Sequence, residues 1–249
     1  MYVIRRILST VWKIWLSLIF LFFLLFTYPF FFFIFLGKDN FELAFRVKKF
    51  WARFGLLFSG IWVKKTEQYK ISEMPHPCVI VANHASYMDI VISYVVFPRL
   101  YLFMAKSELL KVPLFRIFFR KMDIPVNRKS ARDSARAFVR AGEEIEKGRS
   151  VFIFPEGTIS NEGKLKPFKN GAFKLAIDKQ VPIFPVTYIH NWRLLQNGGF
   201  FKSFGRPGIA HVVVHPPIET AGMTEENIVS LKQQVFDQMQ KTLTDYGKV

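Results

Sequence analysis

The stretch that decides the fold is Val79-Ile80-Val81-Ala82-Asn83-His84-Ala85-Ser86-Tyr87-Met88-Asp89. Its first four residues form an uninterrupted apolar run, which is typical of a strand buried in a sheet. A second apolar run, 90–96, follows directly and predicts a helix. His84 and Asp89 therefore lie where a strand ends, and α/β sheets place reactive groups at that edge.

Strand and helix patterns alternate from about residue 63 onward. The predicted strands are Cys78–Ala82, Tyr101–Ala105, Asp123–Asn127, Val151–Phe154, Ile183–Ile189 and Ile209–His215. The predicted helices are Tyr87–Val96, Leu114–Lys121, Ala131–Lys147, Ala172–Asp178 and Glu225–Tyr246. This alternation predicts an α/β fold, with helices covering a mostly parallel or mixed sheet.

The N-terminal part has a different character. No charged residue occurs from Ile14 to Gly37, and that length is enough for a helix to cross a bilayer. The run is too long for a signal peptide, and no small-x-small cleavage site follows it. Pro29 lies inside it and predicts a kink or an end to the helix. Spanning the bilayer and dipping into one leaflet both remain open.

Residues 41–62 mix bulky apolar side chains with lysine and arginine. Helical spacing relates Phe50, Phe54, Leu57, Phe58 and Ile61. A basic amphipathic helix beside an apolar segment is typical of one lying in a membrane interface. We therefore divide the chain into a membrane-embedded helical motif, 1–62, and an α/β domain, 63–249.

Composition limits the possible partners. The 249 residues carry 35 basic and 19 acidic side chains, for a formal charge of +16. That balance favours an anionic partner: a membrane face, a phosphorylated substrate or a nucleic acid. Nucleic acid is disfavoured because the basic residues near the anchor stand beside bulky apolar ones and no recognition motif is present. The single cysteine excludes an internal disulfide, and the histidines show no metal-ligand spacing, so we expect no metal.

The pair His84 and Asp89 suits acid–base chemistry. The carboxylate can fix the imidazole tautomer and stabilise the imidazolium after proton transfer. We interpret His84 as a general base and Asp89 as the group that orients it.

A second stretch, Phe154-Pro155-Glu156-Gly157-Thr158-Ile159-Ser160, also follows a strand. Pro155 and Gly157 predict a tight turn. Backbone N–H groups and the hydroxyls of Thr158 and Ser160 can surround a phosphate or polyol. Glu156 offers an acceptor for a sugar or glycerol hydroxyl.

Basic residues stand at two further strand ends, Lys106 and Arg128. The stretch 166–172 opens a helix and adds a possible anion site. If the sheet is parallel, the carboxyl ends of its strands meet at one edge. The residues that we expect to line one cleft there are His84, Asp89, Lys106, Arg128, Glu156 and Gly157.

Together these motifs resemble the 1-acylglycerol-3-phosphate acyltransferase family. The family's H-x4-D box matches 83–89, and its second box is represented by Ile124-Pro125-Val126-Asn127-Arg128. Its Phe-Pro-Glu-Gly-Thr-x-Ser box matches 154–160. Its last box matches Val181-Pro182-Ile183-Phe184-Pro185-Val186. The resemblance covers about 60–215. One departure is Ile159, because many members carry an arginine there.

The resemblance implies acyl transfer from acyl-carrier protein or acyl-CoA to the sn-2 hydroxyl of lysophosphatidate, with no other cofactor. It also implies association with the membrane at its cytoplasmic face. Lys106 and Arg128 would hold the acceptor phosphate, and Glu156, Gly157 and Thr158 would shape the glycerol site. Two alternatives stay open: another lysolipid acceptor such as a lyso-aminolipid, and a non-catalytic adaptor that binds anionic lipid.

Overall fold

A computed structural model of the chain describes residues 2–36, 40–160 and 163–246. The helices are α1 (Tyr2–Ile34), α2 (Phe41–Phe58), α3 (Met88–Val96), α4 (Pro113–Lys121), α5 (Ala131–Glu146), α6 (Gly171–Asp178) and α7 (Ile228–Tyr246). The strands are β1 (Ile61–Glu67), β2 (Val79–Ala82), β3 (Tyr101–Lys106), β4 (Ile124–Val126), β5 (Ser150–Ile153), β6 (Ile183–Ile189) and β7 (Gly208–Val214). The predicted α/β class is therefore confirmed, and so are the predicted helices and strands, with small shifts at their ends.

The strands form one mixed sheet in the order β1-β7-β6-β2-β5-β3-β4. Strands β6, β2, β5, β3 and β4 are mutually parallel, whereas β7 runs antiparallel to β6 and carries β1 parallel to itself. The central strands β2, β5 and β6 are buried along their whole length. Burial on both faces explains their continuous apolar sequences, which parallel strands require.

The N-terminal segment differs from the prediction at its end. The helical spacing continued to Ile61, but α2 ends at Phe58 and the chain enters β1. Gly60 makes the turn with a φ of +68°, a conformation that favours glycine. Ile61 then points into the core and Trp62 is exposed, as a strand dictates. The strand was missed because its sequence, IWVKKTE, has only three consecutive apolar residues before two lysines.

Helix α1 continues through Pro29 to Ile34, so the proline does not end it. One face of α1 packs on α2 and α4. Trp12 and Trp15 donate to the carbonyl oxygens of Ser59 and Phe58 at 3.0 and 2.9 Å. The opposite face carries apolar side chains that are more than half exposed along the helix, among them Leu8, Leu18, Phe22, Phe26 and Phe33.

Candidate active site

Strand β2 delivers His84 to the centre of the sheet edge, between the ends of β6 and β5. The neighbouring strand ends carry Glu156 and Gly157 after β5, Lys106 at the end of β3 and Arg128 after β4. Because these strands are parallel neighbours, their carboxyl ends share one edge, as the sequence predicted. The individual contacts show how closely the side chains approach one another.

His84 and Asp89 form a hydrogen-bonded pair. Nδ1 of His84 lies 3.0 Å from Oδ2 of Asp89, and the same oxygen accepts the backbone N–H groups of Ala85 and Ser86, both at 2.8 Å. The other oxygen accepts the side-chain amide of Asn191 at 2.8 Å. Asp89 is fully buried in the first turn of α3, so these donors replace its hydration.

This arrangement fixes the tautomer of the histidine. A carboxylate accepts hydrogen bonds only, so Nδ1 of His84 carries the proton and Nε2 presents a lone pair. The imidazole side chain is 12% exposed, which leaves its outer edge open to a substrate. Its face stacks on Phe154, with ring centroids 4.0 Å apart and planes 14° from parallel. The geometry provides an oriented imidazole with limited contact to water, and the predicted base role of His84 stays a prediction.

The backbone around His84 is held from both sides. The side-chain amide of Asn83 accepts the N–H of Tyr188 at 2.7 Å and donates to its carbonyl at 3.0 Å. On the other side, Ser160 donates its N–H to the carbonyl of His84 at 2.7 Å. Asn83 thus continues the pairing between β2 and β6 beyond the last residue of β2. It fixes the backbone immediately before His84.

Glu156 is buried, and both of its carboxylate oxygens face backbone. Oε1 accepts the N–H of His84 at 2.7 Å, and Oε2 accepts the N–H of Lys166 at 3.0 Å. Burial raises the pKa of Glu156 to about 7, with a smaller contribution from the charge of Asp89. The predicted contact with a glycerol hydroxyl stays a prediction. In the structure, Glu156 holds the backbone at His84 and at Lys166.

The turn after Glu156 brings two cations together at Gly157. Arg128 donates to the carbonyl of Gly157, and the ammonium of Lys169 lies about 3 Å from where a Cβ of residue 157 would stand. Gly157 has a φ of +72°, so a side chain there would be both strained and crowded. Its N–H donates to the carbonyl of Phe154 within the turn. A glycine is required where these cations approach the backbone.

Two predicted residues lie further out. Lys106 is exposed and pairs with Glu108 at 3.2 Å. Burial lowers the pKa of Arg128, and the charge of the Glu108 carboxylate opposes that shift. Glu108 therefore lies near both Lys106 and Arg128. Thr158 is exposed beside Gly157. Within the described part of the chain, no hydrogen bond joins Lys106 or Thr158 to His84 or Asp89. The substrate-binding roles of Lys106 and Thr158 stay predictions.

Sequence reasoning missed the role of Asn191. This residue follows the end of β6, in a short 3-10 turn that begins after His190 adopts a left-handed conformation with φ +57°. A polar residue after a strand end was the same signal that selected Lys106 and Arg128. However, Asn191 bears no charge and matches no box of the family, so nothing in the sequence singled it out.

Over the ranges that the structure describes, no group of three histidine, cysteine or acidic side chains is arranged to hold a metal ion. His211 bonds Thr66, and His215 bonds both Thr187 and Gln68. These two histidines therefore have polar partners on the antiparallel side of the sheet, away from His84.

Comparison with known proteins identifies the family of the chain. A protein-family model described as Acyltransferase matches residues 63–189. The 1-acyl-sn-glycerol-3-phosphate acyltransferase of Borreliella burgdorferi is 31% identical over 205 residues, covering 81% of this chain and 80% of the relative. The human beta enzyme of the same name is 32% identical over 193 residues, with 77% and 68% covered.

A chloroplastic relative from Brassica napus, named 1-acyl-sn-glycerol-3-phosphate acyltransferase BAT2, is 33% identical over 158 residues. The match covers 62% of this chain but only 45% of that protein. Among solved structures, the 1-acyl-sn-glycerophosphate acyltransferase PlsC from Thermotoga maritima superposes with a TM-score of 0.77 at 25% identity, covering 99% of this chain and 98% of its own.

The chain belongs to the acyltransferase family. Within that family it is an acyltransferase of the 1-acylglycerol-3-phosphate type. The resemblance drawn from the sequence is thereby confirmed.

Proposed function

We propose that the protein transfers a fatty acyl group from a thioester, acyl-carrier protein or acyl-CoA, to the sn-2 hydroxyl of 1-acylglycerol-3-phosphate. The product is phosphatidic acid, an intermediate of phospholipid biosynthesis. The names of the relatives support the acceptor. The observation that carries the chemistry is the His84–Asp89 pair, in which Nδ1 is bound to a buried carboxylate and Nε2 is left for a substrate proton.

In the proposed reaction, Nε2 of His84 removes the proton of the acceptor hydroxyl while its oxygen attacks the thioester carbonyl. A C–O bond forms, and the carbonyl electrons move to oxygen. When the tetrahedral intermediate collapses, the C–S bond breaks and the leaving thiolate takes the proton from the His84 imidazolium. Asp89 stabilises that imidazolium, as the acidic member of a triad does. No acyl-enzyme is needed, because the acceptor itself is the nucleophile.

The acceptor phosphate is proposed to bind at the turn around Gly157. Arg128 contacts the carbonyl of this residue and Lys169 lies beside it, so two cations are available for one phosphate. Lys106 adds a third positive charge at the neighbouring strand end. Arginine is suited to this task because its planar group can bind two phosphate oxygens at once.

We expect Arg128→Ala to raise the KM for the acceptor more than it lowers kcat, because a contact made equally in ground and transition states affects binding alone. Steady-state kinetics with varied lysophosphatidate measures both parameters. Exposed Arg132, on the neighbouring helix, provides a control for the loss of one charge. An unchanged acceptor KM in Arg128→Ala would contradict the phosphate-binding role.

The experiment that tests the function is an assay with two donors and two acceptors. Purified protein receives acyl-carrier-protein or CoA thioesters together with lysophosphatidate or a lyso-aminolipid, and the product mass is read. We expect phosphatidic acid from lysophosphatidate. If only the lyso-aminolipid is acylated, then the lyso-aminolipid is the acceptor and lysophosphatidate is not. Lipid binding without any thioester turnover would establish the adaptor instead.

We propose that the enzyme lies on one face of the membrane. By length and composition, α1 is the one helix among the described residues that can cross a bilayer. However, Lys13, in its N-terminal half, donates to the carbonyl of Ser203 at 2.5 Å, and Phe31 near its end packs on Phe118. A helix that stays on its domain along its length, with an apolar outer face, suits insertion into one leaflet. We assign the cytoplasmic face because the soluble thioester donors must reach the site from there.

A further inference from the structure

A cavity of about 600 Å³ lies between the first turns of α1 and the loop 191–207, outside the candidate active site. Most of its wall is apolar or aromatic, formed by Ile4, Leu8, Trp12, Trp192, Phe204 and Pro207. Ile4 and Leu8 belong to the exposed apolar face of α1, each more than 60% exposed. The cavity therefore opens beside the surface that we place in the membrane.

Three arginines, Arg5, Arg193 and Arg206, line the same cavity. All three are exposed, and among the residues described none of them forms an ion pair with a carboxylate. The guanidinium of Arg5 lies over Phe204, and that of Arg193 over Trp192, at 5.1 and 5.4 Å from the ring centroids. Aromatic rings thus hold Arg5 and Arg193 at the rim, and the hydrogen-bond donors of the guanidinium groups remain available for an anion.

The cavity is built into the fold by polar contacts between α1 and the loop. The N–H of Gly205 donates to Oγ of Ser9 at 2.8 Å, and Lys13 donates to two loop carbonyls, those of Phe200 and Ser203. A Cβ on Gly205 would stand 2.8 Å from the ring of Trp12, so helix and loop are in close contact. These contacts fix the two walls relative to each other before any ligand arrives.

We propose that this cavity binds one anionic glycerophospholipid of the bilayer. The arginines would bind the headgroup phosphate through paired N–H groups, and the apolar wall would receive the upper part of an acyl chain. An apolar interior with cations confined to the rim matches a lipid better than a free phosphate or a nucleotide, which would expose polar surface to that wall. The site is separate from the acyl-transfer reaction and does not depend on the proposed acceptor.

The loop that forms this site also contacts Asp89 and Ser86 in the candidate active site. Asn191, at one end of the loop, donates to Asp89, and the carbonyl of Leu195 accepts the hydroxyl of Ser86 at 2.8 Å. The N–H of Arg206 in turn donates to the carbonyl of Leu194. A lipid bound between α1 and this loop therefore stabilises the segment that positions Asp89.

Native mass spectrometry of the full chain, released from bilayers that mix phosphatidylglycerol with phosphatidylcholine, tests the site. We expect one retained phosphatidylglycerol. It should be lost in Arg193→Gln/Arg206→Gln and also in Leu8→Trp, which fills the cavity and keeps every charge. The control Arg46→Gln/Arg53→Gln removes two exposed arginines from α2 and should keep the adduct. Arg128→Ala should keep it as well, because the proposed acceptor site is elsewhere.

Several results would overturn the proposal. Equal loss in the α2 control would show non-specific attraction to the +16 chain. Loss in Arg128→Ala, with the adduct kept in Leu8→Trp, would place the lipid in the active site. Displacement by inorganic phosphate or by adenosine 3′,5′-diphosphate would identify a free phosphate or the CoA donor as the ligand. Circular dichroism of each variant identifies any that fails to fold, and the remaining cavity variant then decides.

Discussion

At the scale of single residues, the site depends on a histidine with one nitrogen bound and one free. Nδ1 of His84 donates a hydrogen bond to Asp89. The same carboxylate accepts three further hydrogen bonds, from Ala85, Ser86 and Asn191. These four donors hold the buried carboxylate in one position. The imidazole attached to it therefore keeps one tautomer and one orientation.

We expect His84→Ala to lower kcat by about 10²–10⁴-fold, the range that general-base catalysis contributes. Because the side chain is near the surface of the cleft, the variant should fold and bind membranes normally. His211→Ala is the matched control, since His211 is a partly exposed histidine on another strand. Near-normal turnover of the His84 variant would exclude the base role.

We expect Asn191 to act as a positioning residue, because it contacts Asp89 and its removal should lower kcat more than it changes KM. Losing a hydrogen bond to a charged group costs about 1.5–3 kcal/mol, which corresponds to roughly a 10- to 100-fold lower kcat/KM. Without this donor, the carboxylate of Asp89 is held less firmly, and His84 loses part of its fixed orientation. We therefore expect steady-state kinetics of Asn191→Ala to show the loss in kcat, with the KM for lysophosphatidate unchanged.

Asn197→Ala provides the comparison, because Asn197 is exposed on the same loop. A purely structural effect of Asn191→Ala would lower the amount of folded enzyme and leave kcat per folded molecule unchanged. That outcome would contradict the positioning role.

At the scale of elements, the sequence was most informative where an element is buried and least where it lies at an edge. Strand β6 was predicted with its observed bounds, Ile183–Ile189, because it is apolar and fully buried. Strand β1 was missed because an edge strand contacts one neighbour and tolerates lysine on its outer face. Similarly, His84 and Asp89 could be paired from their spacing, whereas Asn191 reaches Asp89 only through the folding of a distant loop.

His215 connects the antiparallel part of the sheet. Its two ring nitrogens bond Thr187 of β6 and Gln68 after β1, both at 2.8 Å, and the side chain is fully buried. Burial lowers the pKa of His215 from 6.5 to about 4. The unfolded chain therefore binds a proton at a higher pH than the folded chain, and the stability contributed by neutral His215 is lost as pH falls from 6.5 toward 4.

We expect this loss to reach about 3 kcal/mol, at 1.36 kcal/mol for each pH unit between the two pKa values. Glu156 acts in the opposite direction, because its raised pKa weakens the folded state as pH rises toward 7. The prediction therefore concerns the difference in the free energy of unfolding between wild type and His215→Gln. Chemical denaturation should show this difference shrinking from pH 6.5 to pH 4. A difference that does not change with pH would contradict it.

At the scale of the whole molecule, charge and apolar surface are distributed for a bilayer. The outer face of α1 and exposed residues of α2, such as Phe50 and Phe58, present large apolar side chains to the surroundings. The chain also carries a net charge of +16. In the proposed membrane association, burial in lipid and attraction to anionic headgroups would act together, as they do for interfacial helices.

We expect Phe22→Asp/Phe33→Asp to release the protein from vesicles, because an aspartate in the hydrocarbon costs about 2.5–3.5 kcal/mol. Both phenylalanines are exposed on α1, at 62% and 70%. The control is Val229→Asp, an apolar residue exposed to 63% on α7. Sedimentation with vesicles measures binding, and unchanged sedimentation of the double variant would contradict insertion of this face.

The contacts of Lys13 have a consequence for how the protein is made. Lys13 donates to the carbonyl of Phe200, which lies 187 positions later in the chain. Lys13 therefore leaves the ribosome well before its partner. At about 5–20 residues per second, α1 waits roughly 10–40 s for the loop that completes its polar contacts. Until that loop is made, the apolar helix has α2 and then α4 as its packing partners within the chain. Under the proposed insertion into one leaflet, the nascent chain therefore binds the membrane before its α/β domain is complete.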